Sequence, residues 1–172
     1  MQIDLHSVPF SRSGAYLAFS FLPAADGLPA GLYLRSVHGG AQGARPGGRL
    51  AQVEVMAGGH PVPFDVRAEP AALHLISGQG TLSICIAEPA VVRVRGEGVG
   101  LRLTFAASRG DYAFPAADGR WRVNSPAHLL QFMLTPLAGD LQVTSPWDGV
   151  GAPEAAVCFL PERGRGVCEG AL

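Results

Sequence analysis

The chain contains no lysine; all thirteen of its basic residues are arginine. Charge is scarce in general, with 16% charged residues and a net charge of -1. Arginines and acids are interspersed, so no basic patch exists to neutralise phosphates, and nucleic-acid binding is excluded as a function class. Cysteine is rare as well. Cys85, Cys158 and Cys168 are odd in number and widely spaced, which fits neither a disulfide framework nor a zinc pattern. No apolar run approaches the roughly 20 residues of a membrane span. The opening MQIDLHSVPF lacks the basic region and apolar core of a signal peptide. These absences together predict a cytoplasmic protein with no membrane partner.

What is plentiful is punctuation. The 172 residues include 23 glycines and 14 prolines, enough to break the chain every ten residues or so. That composition favours many short elements joined by turns over long helices. Hydrophobic residues at 48% predict a folded chain. Its length predicts a single domain over residues 1–172, able to bury about 70% of the surface its unfolded form exposes.

Alternation of apolar and polar residues, the period of a strand with one buried and one solvated face, recurs throughout. QIDLHSV (2–8), AYLAFSFL (15–22), GLYLRSV (31–37) and RLAQVEVM (49–56) read as strands. The stretch 57–73 carries three prolines and is an edge strand at best, because proline removes a ladder donor. ALHLISGQGTLSICIAE reads as a hairpin turning at Ser77-Gly78-Gln79-Gly80. AVVRVRGEGVGLRLTFA repeats that design, with GEGVG between its arms. RWRVNS (120–125), LLQFMLTPL (129–137), DLQVTSPW (140–147) and AVCFLP (156–161) complete the series, leaving a C-terminal tail. The fold class is all-β, an antiparallel β-sandwich of roughly twelve short strands. Arginines at alternating positions imply one solvated face per sheet, or a face covered by another domain.

Few residues form a pattern that carries chemistry. His6, His38, His60, His74 and His128 lie too far apart in sequence for a metal pair on one face, and the His-x-His cluster of a cupin is missing. No metal or other cofactor is expected. Asp111, Asp118, Asp140 and Asp148 adjoin glycines, the context of turns. There is no Gly-x-Ser-x-Gly elbow, and GGAQGARPGG lacks the Lys-Ser/Thr of a phosphate loop. Special residues are densest between Arg12 and His38, where Tyr16, Tyr33 and Arg35 also fall. Trp121 and Trp147 sit beside charged or turn residues, so each closes the sandwich, docks on a neighbouring domain or offers a ring to a sugar.

Taken in order, PFSRSGAYLAFSF, GLYLRSVHGG, GRWRVNSPAHLLQFMLTPL and DLQVTSPWDG resemble the N-terminal β-sandwich of bacterial glycoside hydrolases related to trehalases and mannosyl-oligosaccharide glucosidases. The resemblance spans residues 3–150, and residues 151–172 hold a last strand and the tail. In that group the sandwich precedes an (α/α)₆ toroid that carries the general acid and base. This sequence has no counterpart of the toroid, so no catalytic residue is transferred, and an excised or truncated domain is expected. The resemblance implies an accessory domain that packs on a toroid, in cis or in trans, and shapes its cleft. Tyr33, Arg35, Trp121, Trp147 and Asp148 are the expected interface or substrate residues, with Arg12 and His38 second. An uncovered face would favour homo-oligomers. Two alternatives remain open: a stand-alone module binding oligosaccharide through an exposed tryptophan, and a cupin-like small-molecule protein.

Overall fold

The structure, a computed structural model, describes residues 10–13, 16–24, 27–37, 49–88, 90–105, 110–126, 130–144, 155–161 and 167–172. The strand expected over 2–8 lies outside them. In chain order the strands are β1 (Phe10–Ser13), β2 (Leu17–Leu22), β3 (Gly31–Ser36), β4 (Arg49–Ala57), β5 (His60–Val62) and β6 (Asp65–Ala68). There follow β7 (Ala72–Ser77), β8 (Gly80–Glu88), β9 (Val91–Glu97), β10 (Gly100–Phe105) and β11 (Tyr112–Pro115). The last are β12 (Trp121–Ser125), β13 (Leu130–Ala138), β14 (Asp140–Val143), β15 (Ala155–Leu160) and β16 (Val167–Ala171).

These sixteen strands form two antiparallel sheets of eight, an all-β sandwich. The first runs β1-β2-β3-β4-β10-β15-β14, with β5 beside the end of β4; the second runs β11-β12-β13-β16-β9-β8-β7-β6. The count exceeds a dozen because β1, β5, β6 and β11, which the sequence pattern does not separate, are only three or four residues long, and because β16 lies in the stretch expected to be a tail. Runs that short hold too few alternations to announce themselves. Among the described residues no helix is long and apolar enough to cross a membrane.

The core lies between the sheets, and the alternation read from the sequence fills it. Leu17, Phe19, Leu32, Leu34, Leu101 and Leu103 enter from the first sheet, and Leu73, Leu75, Leu82, Ile84, Val92 and Val94 from the second. Burying one such side chain stabilises the fold by about 1.5–3 kcal/mol. The expected hairpin over 72–88 is β7 paired with β8, Leu75 opposite Leu82 and Ser77 opposite Gly80.

Two expectations are corrected. AVVRVRGEGVGLRLTFA is not a hairpin: β9 belongs to the second sheet and β10 to the first. The chain crosses between them at Gly98, whose φ of +73° suits glycine, and fully buried Val99 plugs the crossing. The C-terminal segment is not a tail either. β16 inserts between β13 and β9 in the middle of the second sheet, and its ladder extends through reciprocal backbone bonds of 2.9 and 3.0 Å between Leu172 and Val92.

Candidate functional site

The residue types that single out Tyr33 and Arg35 place both on the outer side of β3, while Leu32 and Leu34 face the core. A β-bulge adds a partner to them. β3 and β4 pair Tyr33 with Gln52 and Leu34 with Ala51, then slip so that Arg35 faces Arg49. The extra residue, Leu50, stays with Ala51 in the core, and the changed parity turns Arg49 outward. Its guanidinium carbon then lies 4.9 Å from the centroid of the Tyr33 ring, a cation–π arrangement.

This cluster is roofed over. Tyr33 Oη donates to the Pro29 carbonyl at 2.7 Å, and Arg49 Nη2 donates to the Pro23 carbonyl at 2.8 Å. The connection from β2 to β3 therefore folds over the outer face, leaving Tyr33 3% and Arg49 5% exposed. Arg35 is half-buried and donates from Nη1 to Ser20 Oγ at 3.3 Å. Burial raises the Tyr33 phenol's pKa above its ordinary value, and the Arg49 charge opposes that rise. Tyr33 is thus buried, where an open docking face was expected.

The other expected site residues do not join it. Trp121 is in the other sheet, on β12, and packs partly buried against the core. Arg12 belongs to β1, but its side chain lies outside the described residues, as do His38, Trp147 and Asp148 entirely.

Further along the same outer face, Glu54 accepts from Thr104 Oγ1 at 2.9 Å and meets Arg102 Nε at 3.6 Å. Cys158 is the cross-strand neighbour of Arg102. Burial raises its thiol pKa; Arg102 lowers it and Glu54 raises it further. A carboxylate already paired to a guanidinium, beside a protonated thiol, is poorly suited to acid–base work. Among the described residues no group of three or more His, Cys, Asp or Glu could hold a metal ion.

The second sheet carries exposed aromatic residues. Tyr112 (46% exposed) and Phe114 (43%) stand two apart on edge strand β11, about 7 Å along one face. Their neighbours across the ladder are Asn124 and Arg122 on β12, then Gln131 and Met133 on β13. The Arg122 guanidinium lies 5.8 Å from the centroid of the Phe114 ring. Gln131 and Met133 also border a groove of about 400 Å³ lined by Tyr16, Val91, Phe132 and Leu172, a volume within the range of ligand pockets. Sequence reasoning passed over Tyr112 and Phe114. The Tyr-x-Phe spacing was the available signal, but a four-residue strand gives too little alternation to fix which side they face.

At the opposite end of this sheet the face carries a second polar arrangement. His74 Nδ1 lies 2.9 Å from Ser83 Oγ, and His74 Nε2 lies 3.4 Å from Glu69 Oε2. No spacing rule marks residues 69, 74 and 83; cross-strand pairing alone assembles them.

No protein-family model matches the chain, and neither a curated protein nor a solved structure matches it at a significant level.

Proposed function

We propose that the chain is a β-sandwich module serving a carbohydrate-active enzyme. It packs on an (α/α)₆ catalytic domain whose cleft it helps to shape. The reading begins from the segment resemblance, and one structural observation carries it further. The outer face of β11, β12 and β13 holds two exposed aromatic rings with a guanidinium and two carboxamides, beside an apolar groove. Aromatic and arginine side chains on a rigid surface are what interface cores are enriched in. The contact thereby moves from Tyr33 and Arg35 to Tyr112, Phe114 and Arg122.

The same face favours a second reading, a carbohydrate-binding module. Flat rings accept the C–H face of a sugar, while Arg122, Asn124 and Gln131 supply donors and acceptors for its hydroxyls. Two measurements decide between the readings. An antibody against the domain gives the mass of the native protein, and affinity electrophoresis over a panel of polysaccharides gives sugar binding. A band well above 17.9 kDa supports the accessory domain. A band at 17.9 kDa, with retardation that Phe114→Ala abolishes, supports the binding module. A band at that mass without retardation refutes the binding module and the accessory domain in cis, leaving only packing on a separate catalytic chain, which co-purification of that chain with the domain tests.

A further inference from the structure

We propose that Ser83 is a nucleophilic serine, activated by His74 and Glu69, that accepts the acyl group of a carboxylic ester with a good leaving group. The inference is independent of the carbohydrate reading and uses the other end of the second sheet.

The arrangement is held by the backbone. β7 and β8 pair antiparallel with His74 directly opposite Ser83, which sets their Cβ atoms about 5 Å apart on one face. Glu69 sits in the turn between β6 and β7, fixed by its own N–H donating to the Ala72 carbonyl at 2.8 Å. The contacts assign the tautomer. Glu69 Oε2 lies 3.4 Å from His74 Nε2, and a carboxylate can only accept, so it favours the tautomer that carries its proton on Nε2. That leaves the Nδ1 lone pair to accept the Ser83 hydroxyl proton at 2.9 Å. A base hydrogen-bonded to the nucleophile, and itself oriented by a carboxylate, is the logic by which an alcohol is activated at neutral pH.

The step is complete with water as co-reactant. As Ser83 Oγ bonds to the ester carbonyl carbon, its proton passes to His74 Nδ1. The tetrahedral oxyanion collapses, the C–O bond to the alcohol breaks, and protonated His74 returns the proton to the leaving oxygen. Water then attacks the acyl-serine, losing a proton to His74; the bond from the acyl carbon to Ser83 Oγ breaks, protonated His74 returns the proton to Oγ, and the carboxylic acid departs.

The surroundings limit the substrate. Ser83 and its neighbours on β8 are paired on both sides, to β7 and to β9, so the ladder consumes their backbone donors and no oxyanion hole is built from them. Positive charge comes instead from Arg95, opposite Ser83 on β9, and from Arg67, opposite His74 on β6. Arg95 is shared with Glu97, whose carboxylate oxygen lies 3.3 Å away. The face is open, so water is not excluded. Aryl and similarly activated esters fit these limits; peptides do not.

The test uses the whole chain with a fluorophosphonate probe, read by mass spectrometry of the labelled peptides, and with p-nitrophenyl acetate. Selective phosphonylation of Ser83 and esterase activity abolished by Ser83→Ala are expected. General-base assistance is typically worth about 10²–10⁴-fold, so His74→Gln should slow labelling at least about 100-fold. Glu69→Gln should slow it less. Added imidazole should restore labelling in His74→Ala, which a purely structural histidine would not allow. Wild-type protein that carries no adduct on Ser83 overturns the proposal. So does labelling at an unchanged rate in His74→Gln, or labelling spread equally over several serines.

Discussion

Replacing Gly170 by alanine tests the placement of β16 in a way that the sign of the effect decides. Gly170 is not among the positive-φ glycines, so its backbone accepts any L-residue. If nothing opposed the new methyl group, alanine would stabilise the protein by about 0.4–1 kcal/mol, by restricting the unfolded chain. The structure opposes it. A Cβ built on Gly170 overlaps Cδ1 and Cε1 of the Phe159 ring and lies 3.0 Å from its Cζ. Phe159 comes from β15 in the facing sheet and is fully buried, so the ring has no room to swing away. Forcing extra carbon into a filled core costs about 1–3 kcal/mol. For a domain of this size that lowers Tm by about 2–12 °C, at about 2–4 °C per kcal/mol. Urea unfolding followed by far-UV circular dichroism measures the loss directly. Shrinking the ring with Phe159→Leu should relieve the overlap, so the double variant should be more stable than additivity predicts by about 0.5–3 kcal/mol. A Gly170→Ala protein as stable as wild type would refute the reasoning, as would strict additivity with Phe159→Leu. Either result would mean that the C-terminal strand does not lie against the first sheet.

Two further outcomes follow from the buried groups. Tyr33→Phe removes the bond to Pro29 and should cost about 0.5–1.5 kcal/mol at neutral pH. Because the folded phenol's pKa is raised, mainly by burial, the stability linked to its protonated form is complete below the ordinary tyrosine value near 10. It is lost as pH rises through the raised value, so Tyr33→Phe should flatten the alkaline limb of the stability profile; an unchanged limb contradicts the roofed site. Cys168 is 1% exposed, its thiol donates to the Val99 carbonyl at 3.4 Å, and burial raises its pKa. Iodoacetamide at pH 8 should modify it only after unfolding. Alkylation of Cys168 in native protein, at the rate seen in urea, would contradict its position between the sheets.

The sequence by itself determined the fold class and most of the inward and outward faces. Strand alternation is a local property with a period of two residues, so Leu73 and Leu75, or Val92 and Val94 against Arg93 and Arg95, declare their sides without help from distant chain. Sheet membership is not local. The two-residue step at Gly98 and Val99 looks like the tip of a hairpin, yet it carries the chain across the sandwich. What decides this is the set of partners that β9 finds in β8 and β16, and β10 in β4 and β15, from distant parts of the sequence. β16 was hidden for a related reason. Its Gly170 is small because Phe159 occupies the space a side chain would take, and a glycine weakens the strand signal it stands in. A single slip in register, at Leu50, sends Arg49 out to the Tyr33 ring, and the connection that covers them turns an expected surface into a buried one. Glu69, His74 and Ser83 meet for the same reason: pairing of β7 with β8 makes neighbours of residues that no spacing rule relates. Local pattern thus chose the strands, and contacts between distant segments chose their neighbours, their cover and the groups brought within reach of one another.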